Sequence, residues 1–320
     1  MCSKQKGSAA LAGRSRKACL PKTEKHLPTA YLKILKFGII ITVIVLDLLI
    51  LKYSIMANTH RVYALITGAT SGIGYELAKL FAQDGYNLII VARTAEDLQQ
   101  RSQELSQQYN VDVVPIAKDL FHHEAAFELY DEIRSRNLLV DVLVNDAGQG
   151  QYGLFVESDI RRLLDIIHLN VCSLTALTHL FLKDMVARDQ GKILQLASIA
   201  SELPGPWQAV YHGTKAYVLN FTEGLIRELK DTNVTVTALQ PGATDTDFFN
   251  KADMQQSRIL DTKLSDPAKV ARDGYDALMK GDDKIVSGFK NKAMVTSSNV
   301  MPETVVAAQM DKMQQPKDKE

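Results

Sequence analysis

Residues 62–74 read VYALITGATSGIG, a short apolar run that leads straight into a glycine-rich turn. Gly68, Gly72 and Gly74 are spaced by four and two residues, which allows the backbone to turn tightly and to approach a bound phosphate closely. A helical pattern begins immediately afterwards, so the N terminus of that helix would favour the negative charge of a pyrophosphate. The stretch therefore predicts a dinucleotide site, although a plain strand–helix turn has the same local pattern.

Beyond this turn the chain alternates apolar strands with helices. Helical patterns are expected at 75–84 and 95–108, on either side of a buried strand, NLIIVA, at 87–92. Further strands are expected at 111–117, 140–144, 192–197 and 234–239. Strands that are apolar throughout indicate a sheet covered on both faces, and their alternation with helices makes the sheet parallel. The predicted fold class is α/β, with a single doubly wound parallel sheet over residues 58–300.

The C-terminal part adds three elements to this pattern. Asp266-Pro267 indicates a helix start, because Asp caps the first turn and Pro fits the first helical position. A strand is expected at 284–287. Residues 301–320 are predicted to form a last helix and a polar tail, frayed from Gln314 onward.

The N-terminal part differs in composition from the rest. Residues 1–36 are basic and are expected to be disordered; they lead into the apolar run FGIIITVIVLDLLIL at 37–51. This run is shorter than the roughly 20 residues that cross a bilayer, but flanking residues with snorkelling lysines extend it, so residues 37–56 are a candidate membrane anchor. Asp47 opposes insertion by about 2.5–3.5 kcal/mol. A cleaved leader and a soluble cytoplasmic chain that starts at Met56 are the alternatives.

Charge is distributed unevenly along the chain. Residues 1–57 carry ten Lys and Arg against two acidic residues, whereas the remainder carries 27 basic and 35 acidic residues. An acidic domain argues against nucleic-acid binding, which needs a positive face. The basic N terminus predicts a domain on the far side of the membrane, but the dinucleotide is abundant in the cytoplasm. We therefore expect a membrane-associated protein with its domain in the cytoplasm.

The T-G-x-x-x-G-x-G pattern of residues 67–74 differs from the G-x-G-x-x-G of other dinucleotide binders. It resembles the short-chain dehydrogenase/reductase family, which implies a Rossmann-type domain and a nicotinamide cofactor. The residues of this turn expected to bind the cofactor are Gly68, Thr70, Ser71, Gly72, Ile73 and Gly74.

Arg93 indicates which nicotinamide dinucleotide is used. Folds of this type usually place an acid roughly 20 residues beyond the glycines, where it holds the ribose hydroxyls of NAD. Here Ala92 and Arg93 occupy that place. A guanidinium suits a 2′-phosphate through charge-assisted bonds, so NADP(H) is the expected cofactor.

Three further strand ends carry residues that the resemblance assigns to the cofactor. Asp119 is expected to contact the adenine. Asn145, Ala147 and Gly148 belong to a segment similar to the family's Asn-Asn-Ala-Gly, with Asp146 in place of the second Asn. The segment expected beside the nicotinamide contains Pro241, Gly242 and Thr244.

Tyr211 and Lys215 carry the predicted chemistry. Four residues on a helix place them on one face, one turn apart. A fixed ammonium would lower the pKa of the phenol from near 10, so that Tyr211 serves as general acid in carbonyl reduction and as general base in the reverse direction. By resemblance, Ser198 binds the substrate oxygen, Lys215 also holds the nicotinamide ribose, and Asn170 supports a proton relay. No histidine or cysteine has metal-ligand spacing.

Two variable segments are expected to wall the substrate site. Residues 200–210 contain Trp207, and residues 245–264 contain Phe248-Phe249 near their start. These aromatics suit an apolar carbonyl or alcohol substrate, but they are equally consistent with packing. His212 is expected to point away from Tyr211.

The leading hypothesis is an NADP(H)-dependent oxidoreductase acting on a carbonyl or secondary alcohol. The alternative is a non-catalytic dinucleotide-binding sensor or scaffold. The resemblance also implies a homodimer or homotetramer, formed through the Tyr211 helix and including Val218, Phe221 and Leu225.

Overall fold

The computed structural model describes residues 62–317, which form a seven-stranded parallel sheet. The strand order is β3-β2-β1-β4-β5-β6-β7, which confirms the predicted doubly wound α/β class. The strands are β1 (Val62–Thr67), β2 (Asn87–Ala92), β3 (Val113–Ala117), β4 (Leu139–Asn145), β5 (Gly191–Leu196), β6 (Val234–Gln240) and β7 (Lys284–Val286). The basic segment and the candidate anchor at 37–56 lie outside the described residues.

Helices cover both faces of the sheet. They are α1 (Gly72–Gln83), α2 (Ala95–Tyr109), α3 (Ala125–Ser135), α4 (Ile160–Ile167), α5 (Leu174–Ala187), α6 (Ala209–Glu228), α7 (Phe248–Lys251), α8 (Pro267–Lys280), α9 (Phe289–Ser298) and α10 (Glu303–Gln314). A π-helical turn, His168–Ser173, joins α4 to α5. Asp266 caps α8 as predicted, because its side chain accepts the backbone N–H of Ala268.

Two hydrophobic layers hold the helices to the sheet. On one face Leu77 and Phe81 of α1 pack with Tyr275 of α8. On the other face Leu129 of α3 packs with Phe181 of α5. The central strands are buried on both sides, which is why their sequences are apolar throughout.

Element bounds differ from the sequence prediction by a few residues. Helix α1 begins at Gly72, three residues earlier than expected, because two glycines of the turn already form its first turn. Strand β3 begins at Val113 instead of residue 111. Cys172 is exposed on the π-helical turn.

The end of the chain is packed where fraying was expected. Gln314 is 2% exposed, and its carbonyl oxygen accepts hydrogen bonds from Tyr152 Oη (2.6 Å) and Ser257 Oγ (3.0 Å). Pro316 forms an antiparallel bridge with Ser257. The start of this polar segment is therefore held to the domain by hydrogen bonds instead of being frayed.

One helix within residues 62–317 is long and apolar enough to cross a membrane. It is the continuous run Ile160–Ala187, and half of its most apolar window is buried inside the domain. A helix that covers a sheet has the same composition, so this run is explained by the fold.

Candidate active site

A crevice opens at the carboxyl ends of the strands, between β1 and β4, where the sheet order changes direction. Open parallel sheets bind ligands at this point. A cavity of about 220 Å³ borders Tyr211, and a second of about 420 Å³ borders Arg93. Gly68, Ser71 and Gly148 border both cavities, so these are two ends of one elongated crevice.

The glycine-rich turn forms the middle of this crevice. Gly68 (φ +74°) and Gly72 (φ +57°) have left-handed backbone conformations that other residues rarely adopt. A Cβ on Gly74 would lie 2.6 Å from the carbonyl oxygen of Gly68, so this position has room only for glycine. Ser71 is the N-cap of α1, and within the described chain its side chain caps none of the first-turn amides. A backbone cradle at a helix N terminus fits the pyrophosphate of a dinucleotide.

The second cavity contains the residues expected at the adenosine end. The Arg93 guanidinium carbon lies 5.5 Å from the centroid of the Phe121 ring. Asp119 Oδ1 accepts the backbone N–H of Phe121 at 3.2 Å, and Thr70 borders the same cavity. Phe121 was missed by the sequence analysis, because nothing local indicates an aromatic platform for Arg93.

The end of β4 divides its predicted residues between two environments. Ala147 and Gly148 border the crevice. The Asn145 side chain instead points into the domain, where its Nδ2 donates to Thr178 Oγ1 and Gln195 Oε1, each at 3.0 Å. The buried amide hydrogens of Asn145 are therefore used inside the domain, and its contact with the cofactor stays a prediction.

Ser198 and Tyr211 meet at the first cavity. Ser198 follows β5, and its hydroxyl is close enough to that of Tyr211 on α6 to lower the pKa of the phenol. Ser198 Oγ also lies 3.3 Å from the carbonyl oxygen of Pro241, at the end of β6. Gly242 and Thr244 continue that wall of the cavity.

Lys215 lies one helical turn behind Tyr211 and is 5% exposed. Its Nζ donates a 2.6 Å hydrogen bond to the carbonyl oxygen of Leu196 and lies 5.8 Å from the centroid of the Tyr211 ring. A Cβ on Gly148 would lie 3.5 Å from this Nζ and 3.3 Å from Asn170 Oδ1. Lys215 and Asn170 are thus both adjacent to Gly148.

The π-helical turn places Asn170 in this position. Its Oδ1 accepts the backbone N–H of Gln149 (2.9 Å), and its Nδ2 donates to the carbonyl oxygen of Gln149 (2.8 Å) and to Thr214 Oγ1 (3.0 Å). Such turns insert one residue into a helix and are frequent at functional sites. The turn itself has no signal in the sequence.

The proton affinities of the site differ from the sequence-based expectation. Burial raises the pKa of Tyr211 to about 12; the bond with Ser198 lowers it, and the charge of Asp146 raises it. Desolvation of the phenol is the largest of these effects. Burial lowers the pKa of Lys215 to about 8, which Asp146 opposes. At neutral pH Tyr211 therefore keeps its proton, as a general acid must.

Aromatic and aliphatic side chains wall the first cavity. The Phe248 ring lies 5.1 Å from the Tyr211 ring, and Phe249 and Met254 complete this side. The Trp207 ring instead stacks on the Tyr152 ring, with the two centroids 5.8 Å apart. Trp207 therefore packs behind the cavity wall.

Helix α10 supplies a wall that the sequence analysis missed. Met310 and Gln314 border the cavity, about 100 residues beyond Tyr211 in the chain. Gln314 Nε2 lies 3.2 Å from His212 Nε2, and His212 Nδ1 lies 2.8 Å from the carbonyl oxygen of Leu203. His212, expected to point away, is buried beside the cavity because α10 covers it.

The position of Asp146, like that of helix α10, is given only by the structure. Its backbone N–H donates to Thr67 Oγ1 at 3.1 Å, which fixes the end of β4 against β1. This turn brings the carboxylate over the glycine-rich turn. The only sequence signal was that an acid replaces the expected Asn.

Comparison with known proteins agrees with this arrangement. The family model described as short chain dehydrogenase matches residues 62–257, more than half of the chain. A very-long-chain 3-oxoacyl-CoA reductase of Anas platyrhynchos is 34% identical over 186 residues, which cover 56% of this chain and 58% of that reductase. A probable NADP-dependent dehydrogenase of Haemophilus influenzae is 34% identical over 190 residues, covering 58% of this chain and 73% of that protein.

A solved structure extends the likeness to three dimensions. A short-chain dehydrogenase from Sphingobium yanoikuyae, in complex with NADPH, superimposes with a TM-score of 0.68 at 25% identity. The superposition covers 79% of this chain and 96% of that one. The chain belongs to the short-chain dehydrogenase family and has a Rossmann-type fold.

Proposed function

We propose that this protein is an NADP(H)-dependent reductase in which Tyr211 transfers a proton to the oxygen of an apolar carbonyl substrate. The observation that carries the proposal is the contact between the hydroxyls of Tyr211 and Ser198 at a cavity walled by Phe248 and Met310. The same crevice continues to the glycine-rich turn. The proton donor, the space for substrate and the phosphate cradle therefore border one continuous crevice.

The residues of the chain perform the acid–base part of the reaction. NADPH, when bound, supplies the hydride. Ser198 and Tyr211 hold the carbonyl oxygen by hydrogen bonds, and Tyr211 Oη gives it a proton as negative charge develops there. Lys215 places a cation beneath the site and steadies the tyrosinate that remains. In the oxidation direction the tyrosinate removes the proton from the alcohol.

Preference for NADP(H) over NAD(H) is assigned to Arg93. Its guanidinium borders the second cavity beside Phe121, where a 2′-phosphate would accept charge-assisted hydrogen bonds. The NADPH complex of the Sphingobium protein supports this choice.

An apolar substrate fits the first cavity. Its walls include two phenylalanines and three aliphatic or thioether side chains: Phe248, Phe249, Met254, Ile259 and Met310. The name of the Anas relative, a reductase of very-long-chain 3-oxoacyl-CoA, is consistent with apolar chains. The matched part of this chain spans little more than half of that relative.

Two further properties are part of the proposal. Residues 37–56 anchor the protein in a membrane with the domain in the cytoplasm. A homodimer or homotetramer forms through α4 and α6, where Ile160, Leu164 and Tyr217 are exposed by 57%, 55% and 39%. Val218 is fully buried in its own chain and so cannot contact a partner as expected.

The experiment that tests the proposal is NADPH oxidation with a panel of ketones, aldehydes, quinones and 3-oxoacyl thioesters, with dinucleotide binding measured in parallel. Turnover of at least one apolar carbonyl supports the reductase. Tight NADPH binding with no turnover across the panel would favour the alternative, a dinucleotide-binding sensor or scaffold.

A further inference from the structure

Asp146 places a carboxylate within the glycine-rich turn. The nearby backbone N–H of Gly74 lowers the pKa of this carboxyl. A Cβ on Gly74 would lie 2.5 Å from Asp146 Oδ2, and a Cβ on Gly68 would lie 2.9 Å from the same oxygen. The carboxylate thus lies against the two glycines that form the phosphate cradle.

The other oxygen of this carboxylate lacks a donor. Asp146 Oδ1 is buried and has no hydrogen-bond partner within residues 62–317. An ionised oxygen left without a donor in a buried place is unfavourable, and a proton removes most of that penalty. Burial accordingly raises the pKa of Asp146 to about 7, while Lys215 and the Gly74 amide lower it.

The charged groups around Asp146 come from several elements. Helix α6 contributes Lys215, whose cation favours the ionised carboxylate, and Tyr211, whose phenol is neutral at pH 7. Across the crevice, Asp247 and Lys251 are paired with each other at 3.1 Å. Arg101 of α2 is directed to the carbonyl oxygen of Thr70. Lys215 is therefore the cation that acts on Asp146.

We propose that Asp146 couples dinucleotide binding to the uptake of a proton: the carboxylate against Gly68 and Gly74 is protonated when a pyrophosphate occupies the cradle. Two anions brought close together cannot both keep their charge in a buried site, and the carboxylic acid is the one able to take up a proton from water near neutral pH. The family's amide at this position has no such proton to gain. The inference rests on the proposed function only in requiring that a dinucleotide binds.

The linkage has a definite sign. Below the pKa that Asp146 has in the unliganded protein, the carboxyl group is already neutral, and dinucleotide binding needs no proton. Above it, binding must add a proton to the ionised carboxylate, so affinity falls by up to tenfold for each pH unit until the pKa of the bound form is reached.

The test measures NADPH affinity by fluorescence between pH 6 and 9 for the wild-type protein and Asp146→Asn. The 2′-phosphate also titrates near pH 6, so the ratio of the two dissociation constants is followed. We expect a ratio near 1 at pH 6 and at least 10 at pH 9, with the wild type weaker. Asp276→Asn, which removes an exposed carboxylate from α8, should behave as the wild type.

A second measurement does not depend on the variant folding. Calorimetric titration of wild-type protein with NADPH at pH 8, in buffers of different ionisation enthalpy, should reveal uptake of a substantial fraction of a proton. Equal heats in all buffers, or a ratio that stays constant with pH, would overturn the proposal. Proton uptake in a protein that turns over no substrate would support this inference while contradicting the reductase, and absence of any dinucleotide binding would overturn both.

Discussion

Lys215 Nζ donates a 2.6 Å hydrogen bond to the carbonyl oxygen of Leu196, two residues before Ser198. This bond fastens the helix that carries Tyr211 to the end of β5. It also positions the ammonium 5.8 Å from the centroid of the phenol ring. Lys215 therefore fixes the distance between the serine and the tyrosine as well as supplying charge.

Replacement of Tyr211 by Phe should lower kcat for carbonyl reduction by roughly 10²–10⁴-fold, because the proton donor is removed while the ring keeps its contact with Phe248. NADPH affinity should change little. The matched control is Tyr217→Phe on the same helix, where the lost hydroxyl contacts only Thr175 among the described residues. A Tyr211→Phe enzyme with more than a tenth of wild-type kcat would contradict the role assigned to the phenol.

Replacement of Gly74 by Ala should abolish measurable NADPH binding and lower the melting temperature. The new Cβ would lie 2.5 Å from Asp146 Oδ2 and 2.6 Å from the carbonyl oxygen of Gly68, so the cradle must deform. Gly213→Ala is the control, since no described atom lies within 4 Å of its Cβ. That helix substitution should stabilise the protein by about 0.5–1 kcal/mol, measured by denaturant unfolding.

Replacement of Arg93 by Ala should weaken NADPH binding by roughly 10- to 100-fold and leave NADH binding nearly unchanged, because only the 2′-phosphate loses a charged partner. Arg162→Ala is the matched control: its guanidinium carbon is also close to Phe121, at 5.3 Å, but its side chain is bonded to Gln149. Titrations with both dinucleotides give the preference directly. If Arg93→Ala keeps the wild-type preference, another residue recognises the phosphate.

Replacement of Phe248 by Ala should raise KM for apolar ketones by about tenfold, since part of the cavity wall is lost. The effect should grow with the size of the ketone. Phe289, which is 86% exposed on α9, provides the control substitution Phe289→Ala. Equal KM changes in the two variants would remove Phe248 from the substrate site.

The candidate anchor predicts that the full chain partitions with membranes and that a chain starting at Met56 does not. The fifteen-residue, largely apolar run 37–51, followed by Lys52, provides the attachment, and Asp47 within it opposes insertion. Fractionation with and without carbonate extraction distinguishes insertion from surface binding. Equal solubility of the two chains would show that residues 1–55 do not anchor the protein.

The sequence determined the architecture because its signals are local. Apolar strands such as 87–92 must be buried on both faces, and glycines at 68, 72 and 74 suit a phosphate turn whatever the rest of the chain does. The i and i+4 spacing of Tyr211 and Lys215 likewise follows from helix geometry alone. These features were predicted within a few residues of their observed bounds.

Only the tertiary structure decided how the site is charged and walled. Burial, which sequence does not give, raises the pKa of Tyr211, although a lysine one turn away had suggested the opposite. The π-helical turn and the internal bonds of Asn145 depend on neighbours distant in the chain. The same holds for Met310 in the cavity and for Asp146 over the glycines, because desolvation and side-chain contacts arise only when separate strands and helices pack together.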